Sequence, residues 1–334
     1  LDLLIAKPFL KWAGGKTQLL SEIEKRLPQD ELKCYFEPFV GSGAVVLHLA
    51  QKLKTLEKIY INDRNPELIL VWNVVKYFVD DLIEELKNHQ EEYSDEEKRK
   101  SIYNSKRKLF NDGISGLDEV NFYDFKLNNQ QIIKYCIERA GLFIFLNKTC
   151  FNGLYRVNKK GQFNVPKGNY KNPKILDEKN LRAVSRILNY QMPEFIIMPP
   201  SDYKIIYDEI QKLINNGYKA NEFLVYFDPP YLPISTSSSF TSYSKFDFTK
   251  NDQVELASFF KTLDLMNIHV MLSNSDPTNV NKDDLFFDNL YSDFAEKIDE
   301  KGIKRVGRVL ANRNINSKGT GRGKITEILV TNSK

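Results

Sequence analysis

A carboxylate, two prolines and an aromatic ring stand in a row at Asp228-Pro229-Pro230-Tyr231. They follow the apolar run Phe223-Leu224-Val225-Tyr226-Phe227, which reads as a buried strand. Two prolines cannot continue a sheet, so the strand must stop there. What remains at its end is a carboxylate, a rigid backbone whose prolines donate no hydrogen bond, and a ring. That set suits a planar amine that must be gripped by its hydrogens, stacked and made nucleophilic. Alone, the same four residues serve equally well as an ordinary strand stop.

Two further constellations bear on the choice. Phe36-Glu37-Pro38-Phe39-Val40-Gly41-Ser42-Gly43 lies between a predicted strand and a predicted helix. A glycine turn there lets a ligand approach the backbone and meet the helix N-terminus. About twenty residues on, Asp63 ends the next strand, the spacing at which an acid meets ribose hydroxyls in nucleoside-binding α/β folds. No third glycine follows Gly41 and Gly43 at the dinucleotide offset, so a nucleoside with a non-phosphate tail fits better than a diphosphate. Trp12-Ala13-Gly14-Gly15-Lys16-Thr17 imitates a phosphate loop, but Leu10 or Lys11 stands where its first glycine belongs. A Gly-Gly turn beside Trp12 and Lys16 lines a small-molecule pocket, or Trp12 is simply core.

These residues need a scaffold that brings distant strand ends together. Predicted strands cover Cys34 to Phe39, Lys58 to Ile61, Glu194 to Met198, the run into Asp228, and Ile268 to Ser273. Helices cover Ala44 to Lys52, Pro66 toward Gln90, Asp95 to Phe110, Gln130 to Asn147, Asp202 to Asn215 and Asp252 to Met266. Leu154 to Val165 reads as a hairpin turning at Lys160-Gly161, and Gly302 to Leu310 with Ile325 to Thr331 as two antiparallel strands. Strands alternate with helices in the first and last thirds, which predicts an α/β fold with a doubly wound, Rossmann-like sheet and a C-terminal antiparallel hairpin. The mostly helical middle interrupts this alternation. The expected division is a catalytic domain of residues 1–65 and 177–334 and an inserted domain of residues 66–176.

Composition narrows the partners. The chain has 334 residues, 42% hydrophobic and 28% charged, with a net charge of +4. No apolar run is long enough to span a bilayer, and Leu1 to Lys7 lacks the order of a signal peptide, so a cytoplasmic protein without membrane contact is expected. Cys34, Cys136 and Cys150 are odd in number and far apart, and His48, His89 and His269 do not cluster with them. Neither a disulfide framework nor a metal site is expected. Basic residues run without an acid from Lys148 to Lys174, and again from Lys301 to Lys324. Interleaved with Phe151, Tyr155, Phe163 and Tyr170, they point to nucleic acid.

The order of these motifs resembles the α-class (D12), Dam-type DNA adenine N6-methyltransferases. The resemblance runs from Pro8-Phe9-Leu10-Lys11-Trp12-Ala13-Gly14-Gly15-Lys16 through the Gly41 turn, Asn62-Asp63 and Asp228-Pro229-Pro230-Tyr231. It includes Phe151-Asn152-Gly153-Leu154-Tyr155-Arg156-Val157-Asn158 and Gly161-Gln162-Phe163-Asn164-Val165-Pro166. It extends to Val270-Met271-Leu272-Ser273-Asn274-Ser275 and Arg322-Gly323-Lys324-Ile325-Thr326-Glu327-Ile328. Within that family the chain is most similar to the methylases of DpnII-type restriction systems, which modify GATC.

The resemblance implies S-adenosylmethionine as methyl donor, without a metal, and double-stranded DNA as substrate. It implies cofactor contacts at Trp12, Lys16, Glu37, Phe39, Gly41, Gly43, Asp63 and Asp228, and catalysis by Asp228, Pro229 and Tyr231. It places DNA contacts at Phe151, Asn152, Leu154, Arg156, Asn164 and Pro166, with phosphate contacts at Lys159, Lys318 and Arg322. A target base inside a duplex must be flipped out to react. A cognate restriction endonuclease would act on the same site without a stable complex. Two departures from the family pattern are Lys167, where an uncharged residue is expected, and a longer segment from Asn274 to Asp299. Two alternatives remain at this stage: an N4-cytosine DNA methyltransferase, because the same grip serves both exocyclic amines, and a non-catalytic DNA-binding relative.

Overall fold

The computed structural model describes residues 5–12, 14–232, 248–295, 297–298, 302–312 and 324–333. Seven strands form one sheet: β1 (Cys34–Glu37), β2 (Lys58–Ile61), β3 (Glu194–Ile197), β4 (Phe223–Phe227), β5 (His269–Ser275), β6 (Val306–Asn312) and β7 (Lys324–Thr331). Their order is β3-β2-β1-β4-β5-β7-β6. The first five are parallel, and β7 runs antiparallel between β5 and β6. The winding therefore reverses between β1 and β4, and the crevice outside the carboxyl ends of those strands is where α/β sheets bind ligands. The α/β class, the doubly wound sheet and the C-terminal hairpin all agree with the reading of the sequence.

The central strands are buried on both faces, and their side chains sort by parity. Tyr35, Ile59, Ile61, Leu224, Tyr226 and Met271 enter one core. Cys34, Phe36, Tyr60, Phe223, Val225, Phe227, Val270 and Leu272 enter the other. The first core is covered by α2 (Ala44–Lys52), α3 (Pro66–Tyr77), α4 (Val79–Glu92), α5 (Arg99–Asp112), α6 (Gln130–Thr149) and α7 (Glu178–Leu188), and it also packs against α1 (Leu20–Lys25). The second is covered by α8 (Ile206–Asn215), α9 (Lys250–Leu265), α10 (Phe286–Leu290) and α11 (Ser292–Ala295).

Three local differences have physical causes. The long helix from Pro66 breaks at Phe78 (φ −137°, ψ 40°), where a run of β-branched and aromatic residues, Val74 to Val79, is a poor helix former. Helix α7 has no counterpart among the expected elements, although it packs on α2, α3 and α4. The expected hairpin at Leu154 to Val165 is present but short, one bridge between Val157 and Phe163 flanked by backbone bonds from Asn158 N–H to the Gln162 carbonyl at 2.8 Å and from Asn164 N–H to the Arg156 carbonyl at 3.1 Å. Asn111 of α5 caps the outer edge of this short hairpin, accepting from the Phe163 N–H at 2.8 Å and donating to its carbonyl at 3.1 Å.

Residues 66–176 interrupt the chain order, but the core does not part at Pro66. Every residue of α3 from Glu67 to Val75 is buried, against α6 on one side and α7 and β3 on the other. A buried bidentate ion pair joins Glu67 of α3 to Arg139 of α6, whose guanidinium also donates to the Phe110 carbonyl at 2.9 Å. Among the described residues no helix is long and apolar enough to cross a membrane.

Candidate active site

Three neighbouring parallel strands end in acids: β1 at Glu37, β2 just before Asp63, and β4 just before Asp228. The glycine turn after β1 is held by the acid after β2. Asp63 Oδ2 accepts from the Gly41 N–H at 3.1 Å and Oδ1 from the Asn65 N–H at 2.9 Å. Withdrawal from water pushes the Asp63 carboxyl up to about 6, although these backbone donors pull the other way. Gly41 and Gly43 lie in the left-handed region, at φ 47° and 73°. A Cβ on Gly41 would come within 3.0 Å of the Trp12 ring, and one on Gly43 within 2.5 Å of Trp72. The turn is thus pressed between two indoles, and Trp72 Nε1 donates to the Gly41 carbonyl at 3.1 Å.

Trp12 and Lys16 close the crevice from the N-terminal element. Trp12 stacks on Tyr155 and Phe143, with centroids 5.8 and 6.5 Å away. Lys16 is buried, its Nζ donates to the Gly14 carbonyl, and it pairs with Asp228 Oδ1 at 2.8 Å. The same ammonium lies 4.5 Å from the centre of the Tyr231 ring. Ser273 Oγ donates to the same Oδ1 at 3.1 Å, and is itself paired with the Tyr226 hydroxyl at 2.8 Å. Desolvation raises the Asp228 pKa, and the Lys16 ammonium opposes it. Glu37 is deeper still: it accepts from the Tyr35 hydroxyl at 2.7 Å, and burial pushes its carboxyl up to about 8. Phe39 packs away from this acid cluster, against Tyr203, Phe227 and Phe248.

The backbone of the Asp228 corner is clamped by amides. Gln253 Nε2 donates to the Pro230 carbonyl at 3.1 Å, and Asn274 Nδ2 holds Gln253 at 2.9 Å. Ser275 Oγ donates to the Leu232 carbonyl at 3.2 Å. The Tyr231 hydroxyl donates to Glu327 of β7. Tyr226, Gln253, Ser273, Asn274 and Glu327 received no role from the sequence. A signal existed for some of them: Tyr226 shares strand parity with Asp228, and Ser273-Asn274-Ser275 is a polar run closing an apolar strand. Gln253 carried no signal, because only packing brings α9 to Pro230.

The residues expected to touch DNA form a second cluster. Asn147 of α6 gathers it: its Oδ1 accepts from the Lys11 N–H at 2.8 Å, and its Nδ2 donates to the carbonyls of Lys11 at 2.7 Å and Gly153 at 3.2 Å. The Trp-Ala-Gly-Gly-Lys element and the Phe151 turn, far apart in sequence, therefore share one clip. Asn152 occupies the left-handed region at φ 55°, and Phe151 is 44% exposed. The Phe151 N–H donates to the Pro166 carbonyl at 2.8 Å, which places exposed Pro166 beside that ring. Asn164 Oδ1 accepts from Arg156 Nε at 2.7 Å, so these two are locked to each other. Leu154 is half-buried against the core, and Lys159 is exposed. Lys167 donates to the Gly168 carbonyl at 3.0 Å. Lys318 and Arg322 lie outside the described residues.

Acid-tipped β1, β2 and β4 around a glycine turn, at the switch of a doubly wound sheet, define a nucleoside-binding α/β protein. Comparison with known proteins is more particular. The profile of the D12 class N6 adenine-specific DNA methyltransferases matches residues 12–306. The chain is 45% identical to the Type II methyltransferase M.MjaIII of Methanocaldococcus jannaschii, over 98% of this chain and 99% of that one. It is 38% identical to the Type II methyltransferase M1.LlaDCHI of Lactococcus lactis subsp. cremoris, over 98% and 95%. A DNA adenine methylase of Vibrio cholerae is 34% identical over 97% and 95%.

The chain belongs to the D12 class N6 adenine-specific DNA methyltransferases. It is an adenine-specific DNA methyltransferase, and membership implies S-adenosylmethionine as the methyl donor. The amine that the motif left open is adenine N6. The crevice fits such a donor on its own geometry: a turn with no room for a Cβ, a half-buried Asp63 carboxylate beside it, and Asp228 at the neighbouring strand end. Among the described residues no group of acids, histidines and cysteines could hold a metal ion.

Proposed function

We propose that this methyltransferase modifies the adenine of GATC in duplex DNA after flipping it out, as the protective partner of a restriction endonuclease. The observation that carries the chemical part is the occupancy of Asp228. Both described partners, Lys16 and Ser273, use Oδ1. Oδ2 and the Pro229 carbonyl remain to accept the two amino hydrogens. That grip draws the nitrogen toward tetrahedral geometry and aims its lone pair, which is otherwise delocalised into the purine. Tyr231 stacks on the flipped base. S-adenosylmethionine, when bound, supplies an electrophilic methyl group with its own leaving group. Asp63 takes the ribose hydroxyls, the turn at Gly41 and Gly43 faces the methionine part, and Trp12, Lys16, Glu37 and Phe39 line or support the crevice. The acids accommodate positive charge as it passes from sulfonium to amine, which is electrostatic stabilisation by preset groups.

Residues 66–176 carry target recognition. Phe151 enters the stack or the gap left by the flipped base, and Leu154 and Pro166 make apolar contacts with base edges. Arg156, oriented by Asn164 through its Nε and, at 3.4 Å, through one terminal nitrogen to the Asn164 carbonyl, reads a guanine with the remaining donors of its fork. Lys159, Lys318 and Arg322 bind phosphates without sequence preference, and Asn152 shapes the Phe151 turn. Two relatives bear the name Type II methyltransferase, which supports the restriction reading.

The test is methyl transfer from labelled S-adenosylmethionine to a panel of duplexes carrying different tetranucleotide sites, with nucleoside analysis of the product. Label confined to N6-methyladenine in GATC is expected. Equal labelling of duplexes lacking GATC overturns the site assignment.

A further inference from the structure

We propose that Glu327 is a positioning residue for methyl transfer, acting through Tyr231. This rests on the reading that Tyr231 stacks on the target adenine. Glu327 lies on β7, opposite Ser275 of β5 and Val309 of β6, and accepts a hydrogen bond from the Tyr231 hydroxyl. That hydroxyl sits on the long axis of the ring. Its bond therefore fixes where the ring points, while the clamps on the Pro230 and Leu232 carbonyls fix where the side chain starts. A stacking ring held at both ends loses little further freedom when the base arrives, which is preorganisation.

Two observations separate this contact from an ordinary surface hydrogen bond. First, Glu327 makes no ion pair among the described residues, yet it is partly buried and close enough to Asp228 to raise that carboxyl's pKa. Placing an acid beside another acid, with a phenol as its hydrogen-bond partner, is an arrangement that apolar packing alone does not call for. Second, the strand beside it is unusually well fastened. Thr326 donates through Oγ1 to buried Asp276 at 2.5 Å, and it exchanges two backbone bonds with the Asn279 amide at 2.7 and 3.0 Å. Asp276 also accepts from Arg308 Nε at 3.0 Å, and Arg308 makes a two-pronged pair with Asp288 at 2.7 and 3.0 Å. The segment after β5 thus ties β6 and β7 in place next to Glu327. Its effect reaches the crevice as a fixed address for the Tyr231 hydroxyl.

The experiment measures single-turnover methyl transfer at saturating cofactor and DNA. Cofactor affinity and the fluorescence of a duplex with 2-aminopurine at the target position are read alongside. Glu327→Ala and Tyr231→Phe should each slow transfer roughly 10-fold, and the double variant should be no slower than either alone. Glu327→Gln, which keeps an acceptor, should restore transfer to within about 3-fold of wild type. Cofactor affinity should stay unchanged, and the flipped 2-aminopurine should be less quenched in Glu327→Ala. Wild-type transfer by Tyr231→Phe overturns the inference even if Glu327→Ala does not fold, and so do losses that add in the double variant. Tyr231→Ala tests the underlying reading separately. If it transfers at the wild-type rate, stacking by Tyr231 is wrong. If it is slow while Tyr231→Phe is not, only the role of Glu327 falls.

Discussion

The two functional clusters are built in opposite ways. Around Asp228 the groups are acids, amides and hydroxyls with one ammonium, Lys16, buried or half-buried, and most are anchored on the ends of sheet strands or on helix α9. Around Phe151 they are mostly cations and rings, exposed or half-exposed, on turns that hold together through two bridges and a few side-chain clips. The difference follows from the tasks. Alignment of one amine with one methyl group tolerates little displacement, so its ligands sit on strands packed from both faces. A duplex brings its own stiffness and a dense negative charge, so a cationic surface with a protruding ring is enough to bind it and only a few groups need fixed directions. Asn147 joins the two regimes, since it holds the backbone that leads to Trp12 and the turn that carries Phe151.

That contrast can be broken by substitution. The largest effect is expected from Asp228→Ala, which should lower single-turnover transfer by about 10³-fold or more while leaving DNA affinity in a gel-shift assay near wild type. A parallel collapse of DNA binding would mean that the two clusters are one. Next, Arg156→Ala should cost about 1–3 kcal/mol at a single guanine, measured as relaxed discrimination across substituted sites. Uniform weakening on every duplex would make Arg156 a phosphate contact and remove the distinction between reading and binding within the second cluster.

Proton linkage sharpens the acid side. In the proposed role, Asp63 is ionised when it accepts the ribose hydroxyls, and its carboxyl is pushed up from the ordinary 3.8 to about 6 in the folded protein. Cofactor affinity, measured by calorimetry, should therefore fall as pH drops below about 6, by roughly tenfold per unit at the limit. The same shift has the opposite sign for stability. A raised carboxyl pKa stabilises the cofactor-free fold most below 3.8, and that contribution is lost as pH rises through about 6. Asp63→Asn should flatten both dependences. The smallest effect is expected on the basic side, where Lys159→Ala should weaken all duplexes alike and reduce the slope of log affinity against log salt by about 1.

Much of the catalytic corner was legible in the sequence because its signals are local. A strand's parity and its proline stop are written in consecutive residues, so Asp228 could be placed at a strand end, and the spacing from Gly41 to Asp63 is one β–α–β step. The structure adds that Asp63 holds the Gly41 N–H itself. The reading fell short where local pattern and packing part company. Leu154 to Val165 does pair as a hairpin, but only briefly, and Asn111 of a remote helix satisfies the outward edge of Phe163. Helix α7 was passed over although its apolar face is continuous, and a helix was carried through Phe78 although the β-branched and aromatic residues around it are poor helix formers.

The sequence by itself determined the alternation of strands and helices and that Asp63 and Asp228 follow strand ends, because periodicity and proline chemistry act within a few residues. Only the tertiary structure decided which oxygen of Asp228 is already engaged, that Lys16 reaches it, that Asn147 joins Lys11 to Gly153, and that Glu327 holds the Tyr231 hydroxyl. Each of these contacts joins residues whose separation along the chain carries no periodic signal. Their meeting is fixed by how helices and strands pack, and packing is a property of the whole core rather than of any segment.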